Sequence, residues 1–139
     1  MSKIILASHS NLAKGLKETL EYILPSVKEI IAIPAYIDDK PLHETIDDVL
    51  GNISEDEQVI VFTDLMGGSV NQEFSKKIGR NNYFVVAGVN LPLLLNVCLL
   101  TQNGDISEEE LTTAINESKE GIIFVNRILS NDTLDEDDE

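Results

Sequence analysis

Two hydrophobic periods alternate along this chain, and that alternation leaves few folds open to it. Short runs rich in Ile and Val lie at residues 3–8, 27–33, 58–63, 83–87 and 121–128. They are too short for helices and have the β-branched character of strands. Between them Leu12, Leu16, Leu20 and Ile23 recur at helical spacing, as do Leu42, Ile46, Val49 and Leu50, and Val70, Phe74 and Ile78. Pro92 suits the first turn of a fourth helix that runs through Leu100 and stops at Asn103-Gly104. Ser107 and Glu110 form a capping-box pattern opening a fifth through Ser118. The predicted order is β-α-β-α-β-α-β-α-α-β. It implies an α/β fold, a single three-layer α/β/α domain with a mainly parallel, doubly wound sheet. Ligands of such sheets bind at the carboxyl ends of the strands, where the strand order reverses.

No repeat or linker interrupts residues 1–131, so they read as one domain, and 139 residues with 42% hydrophobic content suffice for one core. The net charge of -15 is uneven: six acidic residues and no basic one lie in 132–139, which reads as a disordered acidic tail. Residues 1–131 still carry -9. Such a balance opposes a nucleic-acid partner, as do 5% aromatic residues and no Trp. Cys98, among Leu95, Val97, Leu99 and Leu100, reads as a small core residue and suits a reducing compartment. The apolar start at Ile4–Ala7 is too short for a signal peptide. The longest apolar stretch, 84–100, is broken by Gly88, Asn90, Pro92 and Asn96. A cytoplasmic location is therefore expected.

The loops after the first, third and fourth strands should open on one edge. They contain Ser8-His9-Ser10-Asn11, Asp64-Leu65-Met66-Gly67-Gly68-Ser69 and Gly88-Val89-Asn90-Leu91-Pro92. A neutral imidazole is a nucleophile at one nitrogen when the other holds the proton, and a carboxylate accepting a hydrogen bond from that N–H fixes the tautomer. Asp64, one strand over, is the natural partner of His9. No serine or cysteine nucleophile occupies a recognisable motif, so the imidazole itself would attack. On position alone, a histidine that merely starts a helix fits equally well. Gly67-Gly68-Ser69 before a helix could cradle a phosphoryl group, though alone such a turn is more often a steric device. No Walker-type glycine run and no acidic pair for magnesium is present, and His43 shares its helix face with no second metal-ligating His or Cys. Neither a metal nor a cofactor is expected. Paired carboxylates such as Asp38-Asp39 and Asp47-Asp48 read as helix-start or solvent-face charge.

Together, Ile5-Leu6-Ala7-Ser8-His9, Thr63-Asp64-Leu65-Met66-Gly67-Gly68-Ser69 and Val86-Ala87-Gly88-Val89-Asn90-Leu91-Pro92 resemble the IIA domain of the mannose family of the bacterial phosphoenolpyruvate-dependent sugar phosphotransferase system (PTS). The resemblance spans nearly all of 1–131. It implies a phosphotransferase without ATP, in which phospho-HPr phosphorylates His9 and the group passes to a IIB component for sugar uptake through the membrane IIC and IID components. It also implies that Asp64 orients His9, that Ser10, Gly67, Gly68 and Ser69 surround the phosphoryl group, and that the chain is a homodimer exchanging an antiparallel last strand. An acidic surface would suit the basic face of HPr. The IIB partner is expected on a separate chain, since no linker follows Glu139.

Ser10 and Val70 stand where the family often has Gly and Pro. Ser10 also matches the phosphotransfer subunit of dihydroxyacetone kinase, whose glycine loop is shorter and which lacks the Gly-Val-Asn-x-Pro segment. A receiver domain would phosphorylate Asp64 instead, but needs acidic residues where Ser8-His9 stand. A regulatory binding module of the same fold would need neither residue to be reactive.

Overall fold

The computed structural model describes residues 2–27 and 29–130. Its elements are β1 (Lys3–His9), α1 (Leu12–Ile23), β2 (Ile30–Ala35), α2 (Leu42–Gly51), β3 (Val59–Thr63), α3 (Ser69–Ser75), β4 (Tyr83–Val86), α4 (Leu91–Thr101) and α5 (Glu108–Lys119). The sheet order is β2-β1-β3-β4 with every pairing parallel, which bears out the predicted α/β class.

Because successive strand residues point to opposite faces, the sheet feeds two cores. Ile4, Leu6, Ile60 and Phe62 pack with Leu20, Leu94, Val97 and Leu111 on one side. Ile5, Ala7, Val59 and Val61 pack with Ile46, Val70 and Phe74 on the other. Central strands buried on both faces read as continuous apolar runs, as β3 does, with all five residues buried. Cys98 lies in the first core, where burial pushes its thiol up to about 11. The chain goes to opposite sides of β1 to form β2 and β3, so the strand order reverses at the carboxyl ends of β1 and β3.

Helix starts follow the sequence signals at α4, where the Asn90 side chain accepts from the Leu93 N–H, and at α5, where Ser107 and Glu110 complete the capping box. At α1 the cap comes from inside the sheet. The buried Ser8 hydroxyl accepts from the Ala13 N–H at 2.7 Å, while Asn11 gives no side-chain cap.

The third helix stops at Ser75, short of the expected Ile78, which is exposed, and two other elements differ more from expectation. The second strand runs Ile30–Ala35 rather than 27–33, because Val27 is tied into a turn through its N–H to the Leu24 carbonyl and Pro34 is accommodated in an edge strand. The expected strand at 121–128 does not form. Residues 122–124 have no regular structure and 125–130 are helical, leaving Ile122, Phe124, Val125 and Leu129 exposed. A strand needs a ladder partner, and a segment without one satisfies its backbone locally in a helical turn. The expected acidic tail, 132–139, lies outside the described residues. Among the described residues no helix is long and apolar enough to cross a membrane.

Candidate functional site at the carboxyl edge of the sheet

β1 and β3 end side by side, with Ala7 opposite Thr63 in the register. The next residues on each strand are therefore brought together where the chain leaves the sheet. Asp64 Oδ2 accepts from both the His9 backbone N–H and ring Nδ1, each at 2.8 Å, and Oδ1 accepts from the Leu65 N–H at 2.9 Å. Burial alone would raise the Asp64 carboxyl. The hydrogen bonds from the His9 N–H, the His9 ring and the Leu65 N–H outweigh it and hold the group below its ordinary value of 3.8. An ionised Asp64 fixes the neutral His9 tautomer, with the proton on Nδ1 and the lone pair on Nε2.

That lone pair faces outward. The His9 side chain is 42% exposed against 10% for Asp64, and the Ser69 hydroxyl lies 3.3 Å from Nε2. The arrangement is a largely buried carboxylate behind one ring nitrogen and a nucleophilic nitrogen on the exposed side in front, flanked by a hydroxyl at a helix start.

The glycine loop acts differently from a simple cradle of amides. Gly67, at φ 76°, donates its N–H to Asn71 Oδ1 at 3.1 Å, and Gly68 donates to the Leu65 carbonyl at 3.2 Å. Both amides are thus engaged within the loop. Gly68 lies beside the imidazole, where a Cβ would meet His9 Cε1 at 3.4 Å, an ordinary van der Waals contact. Ser10 contributes backbone geometry: at φ 54° it turns the chain from β1 into α1, donates its N–H to the Ala35 carbonyl and accepts from the Ser8 hydroxyl. The segment 88–92 turns at Gly88 and caps α4 through Asn90, and the Val89 N–H holds it to the Thr63 carbonyl.

Sequence reasoning did not single out two neighbours. Asn71, buried in α3, links the loop to β3 by accepting from Gly67 and donating to Thr63 Oγ1 at 3.1 Å. Its polar side chain one position after Val70 in the apolar stripe was the available signal. Tyr36 follows β2, its ring centroid 5.5 Å from that of His9 and its hydroxyl 2.7 Å from Ser69 Oγ. Its only signal lay in the true end of β2. His43 is exposed on α2, and among the described residues no group of three or more His, Cys, Asp or Glu could hold a metal ion.

Comparison with known proteins gives a consistent set of likenesses. The family described as PTS system fructose IIA component matches residues 3–115. The PTS system fructose-specific EIIA component of Bacillus subtilis (strain 168) is 28% identical over 106 residues, 74% of this chain and 73% of that one. A crystal structure from Klebsiella pneumoniae subsp. pneumoniae MGH 78578, described as a phosphoenolpyruvate-dependent sugar PTS permease, is 30% identical with a TM-score of 0.85, covering 92% of this chain and 93% of that one. The mannose/sorbose specific IIA subunit from Enterococcus faecalis is 18% identical with a TM-score of 0.73, covering 88% and 92%, a likeness of fold.

Proposed function

The chain belongs to the PTS fructose IIA component family, within the mannose-type EIIA group, and on that premise we propose that it carries a phosphoryl group on His9 Nε2. The donor is phospho-HPr and the acceptor a PTS IIB component, which feeds sugar uptake through the membrane IIC and IID components. The protein works in the cytoplasm and uses no cofactor. The observation that carries this reading is the polarity of the His9 ring, with Nδ1 held by Asp64 and Nε2 turned outward beside Ser69.

In the transfer, the Nε2 lone pair attacks the donor's phosphorus in line. The P–Nε2 bond forms as the donor's P–N bond breaks, and the donor imidazole leaves with that bonding pair. The His9 proton stays on Nδ1, so the ring becomes cationic and faces the Asp64 carboxylate. Passage to the IIB protein reverses these steps. Little covalent help is needed between two imidazoles; positioning and charge stabilisation dominate. Ser69, by its hydroxyl and first-turn N–H, is the donor best placed for a phosphoryl oxygen. Gly67, Gly68 and Ser10 hold the shape of the loops around His9.

The working unit in this reading is a homodimer that exchanges its last segment. Support comes from the exposed apolar run Ile122, Ile123, Phe124, Val125, Ile128 and Leu129, and from β4 standing at the sheet edge. The test of the carrier role is incubation with phosphoenolpyruvate, Enzyme I and HPr, followed by intact mass. One phosphoryl group gained only when HPr is present, and absent in His9→Ala, is the expected outcome. No gain from demonstrably phosphorylated HPr would overturn it.

A further inference from the structure

We propose that Tyr36 is a positioning residue for phosphoryl transfer, acting through Ser69 as the outer end of a hydroxyl relay that terminates on His9 Nε2. The inference deepens the carrier reading and rests on it for its kinetic consequence.

The relay follows from proton counting. The ionised Asp64 accepts a hydrogen bond from Nδ1–H, so the bare Nε2 is the ring's acceptor, and the group beside it is the Ser69 hydroxyl at 3.3 Å. A serine has one proton to give. With that proton directed to Nε2, Ser69 Oγ accepts from elsewhere, and the Tyr36 hydroxyl donates to it at 2.7 Å. Each hydroxyl thereby has a defined direction: Tyr36 to Ser69, Ser69 to His9. When Nε2 bonds to phosphorus its lone pair is gone, and the Ser69 proton can rotate onto a phosphoryl oxygen. Tyr36 continues to hold Ser69 Oγ in place, and no bond to hydrogen breaks. The tyrosine ring also packs beside the imidazole, with centroids 5.5 Å apart and planes tilted at 42°.

The backbone is built to hold this pair of rings. β1 and β2 remain in register to His9 opposite Ala35, and each strand is then broken by a left-handed residue, Ser10 at φ 54° and Tyr36 at φ 64°. Bulky side chains rarely adopt that conformation, and such outliers gather at working sites. The Ser10 N–H to Ala35 carbonyl hydrogen bond, 2.9 Å, ties the two breaks together. An exposed tyrosine that simply covered the surface would require neither the strained backbone nor the directed hydroxyl.

Tyr36→Phe keeps the ring and deletes only the relay, while Ser69→Ala deletes the link it acts through. The experiment measures transfer from phospho-HPr by rapid quench in wild type, both single variants and the double variant, and records the ¹⁵N resonance of His9 Nε2 in the unphosphorylated proteins. We expect Tyr36→Phe to slow transfer at saturating phospho-HPr by about 3- to 10-fold, the worth of one hydrogen bond. The half-saturating concentration should stay within about twofold, as for an interaction used in the step rather than in docking. In the Ser69→Ala background the same change should have no further effect, and the Nε2 resonance should follow the same pattern. Equal slowing in both backgrounds, or an unmoved resonance in Tyr36→Phe, would overturn the relay. A wild-type protein that takes no phosphoryl group overturns the carrier reading instead, and the resonance still decides the relay.

Discussion

Replacing Asp64 by Asn changes one charge and one acceptor at almost constant volume, so its cost can be worked from the contacts. The wild-type carboxylate accepts three N–H groups, two from His9 on Oδ2 and one from Leu65 on Oδ1. An amide has one oxygen. Turned toward His9 it sets its NH₂ against the Leu65 N–H, and turned away it loses the imidazole. The larger loss is electrostatic. For charge centres about 4 Å apart, the attraction between carboxylate and imidazolium is about 1 kcal/mol in water and about 4 kcal/mol at the effective dielectric near a protein surface. His9 is 42% exposed and Asp64 10% exposed, which places the pair between those limits. A loss of about 2 kcal/mol in stabilising the cationic ring corresponds to roughly 30-fold slower transfer. Rapid-quench transfer from phospho-HPr, with circular dichroism to establish that the variant is folded, measures it. Transfer by Asp64→Asn within about threefold of wild type would show that the carboxylate is a structural clip only.

Asn71→Ala removes the clamp joining Gly67 to Thr63; we expect about 1–3 kcal/mol lost in urea unfolding together with slower transfer, and an unchanged midpoint would show that the loop holds itself. Stability should also carry the signature of Asp64. Its folded pKa lies below 3.8, so the contribution is fully present above that ordinary value and is lost as pH falls through the lower folded one. The stability difference between wild type and Asp64→Asn should accordingly be flat above about pH 5 and shrink below about pH 4; a difference that grows on acidification would contradict the depressed carboxyl.

The fold was legible where local and long-range preferences coincide. β1, β3 and β4 are short β-branched runs whose partners lie within the same chain, and α5 announces its start with Ser107 and Glu110. His9 and Asp64 could be paired from sequence because adjacent parallel strands must end at one edge. Tyr36 was not legible because Pro34 reads as the end of a strand, whereas an edge strand loses no ladder bond to it on its open side. Asn71 was hidden because a polar residue within a helix reads as solvent-facing until the loop above it is built. The run 121–128 has strand composition, yet composition cannot supply a pairing partner, and in the single chain residues 125–130 are helical. The role of the glycine loop is not legible in the sequence, because whether an amide points outward depends on the turn, and here the Gly67 and Gly68 amides are bonded to Asn71 Oδ1 and the Leu65 carbonyl.

In this mechanism the exposed nitrogen of His9 bears the phosphoryl group while Asp64 keeps the proton on the other. Two-dimensional NMR of the ¹⁵N-histidine-labelled protein after phosphorylation by Enzyme I, HPr and phosphoenolpyruvate tests both halves at once. The expected result is ¹⁵N–³¹P coupling at Nε2 of His9 with Nδ1 still protonated. Coupling at Nδ1, phosphate on Asp64 or another residue, or no phosphate at all would contradict it.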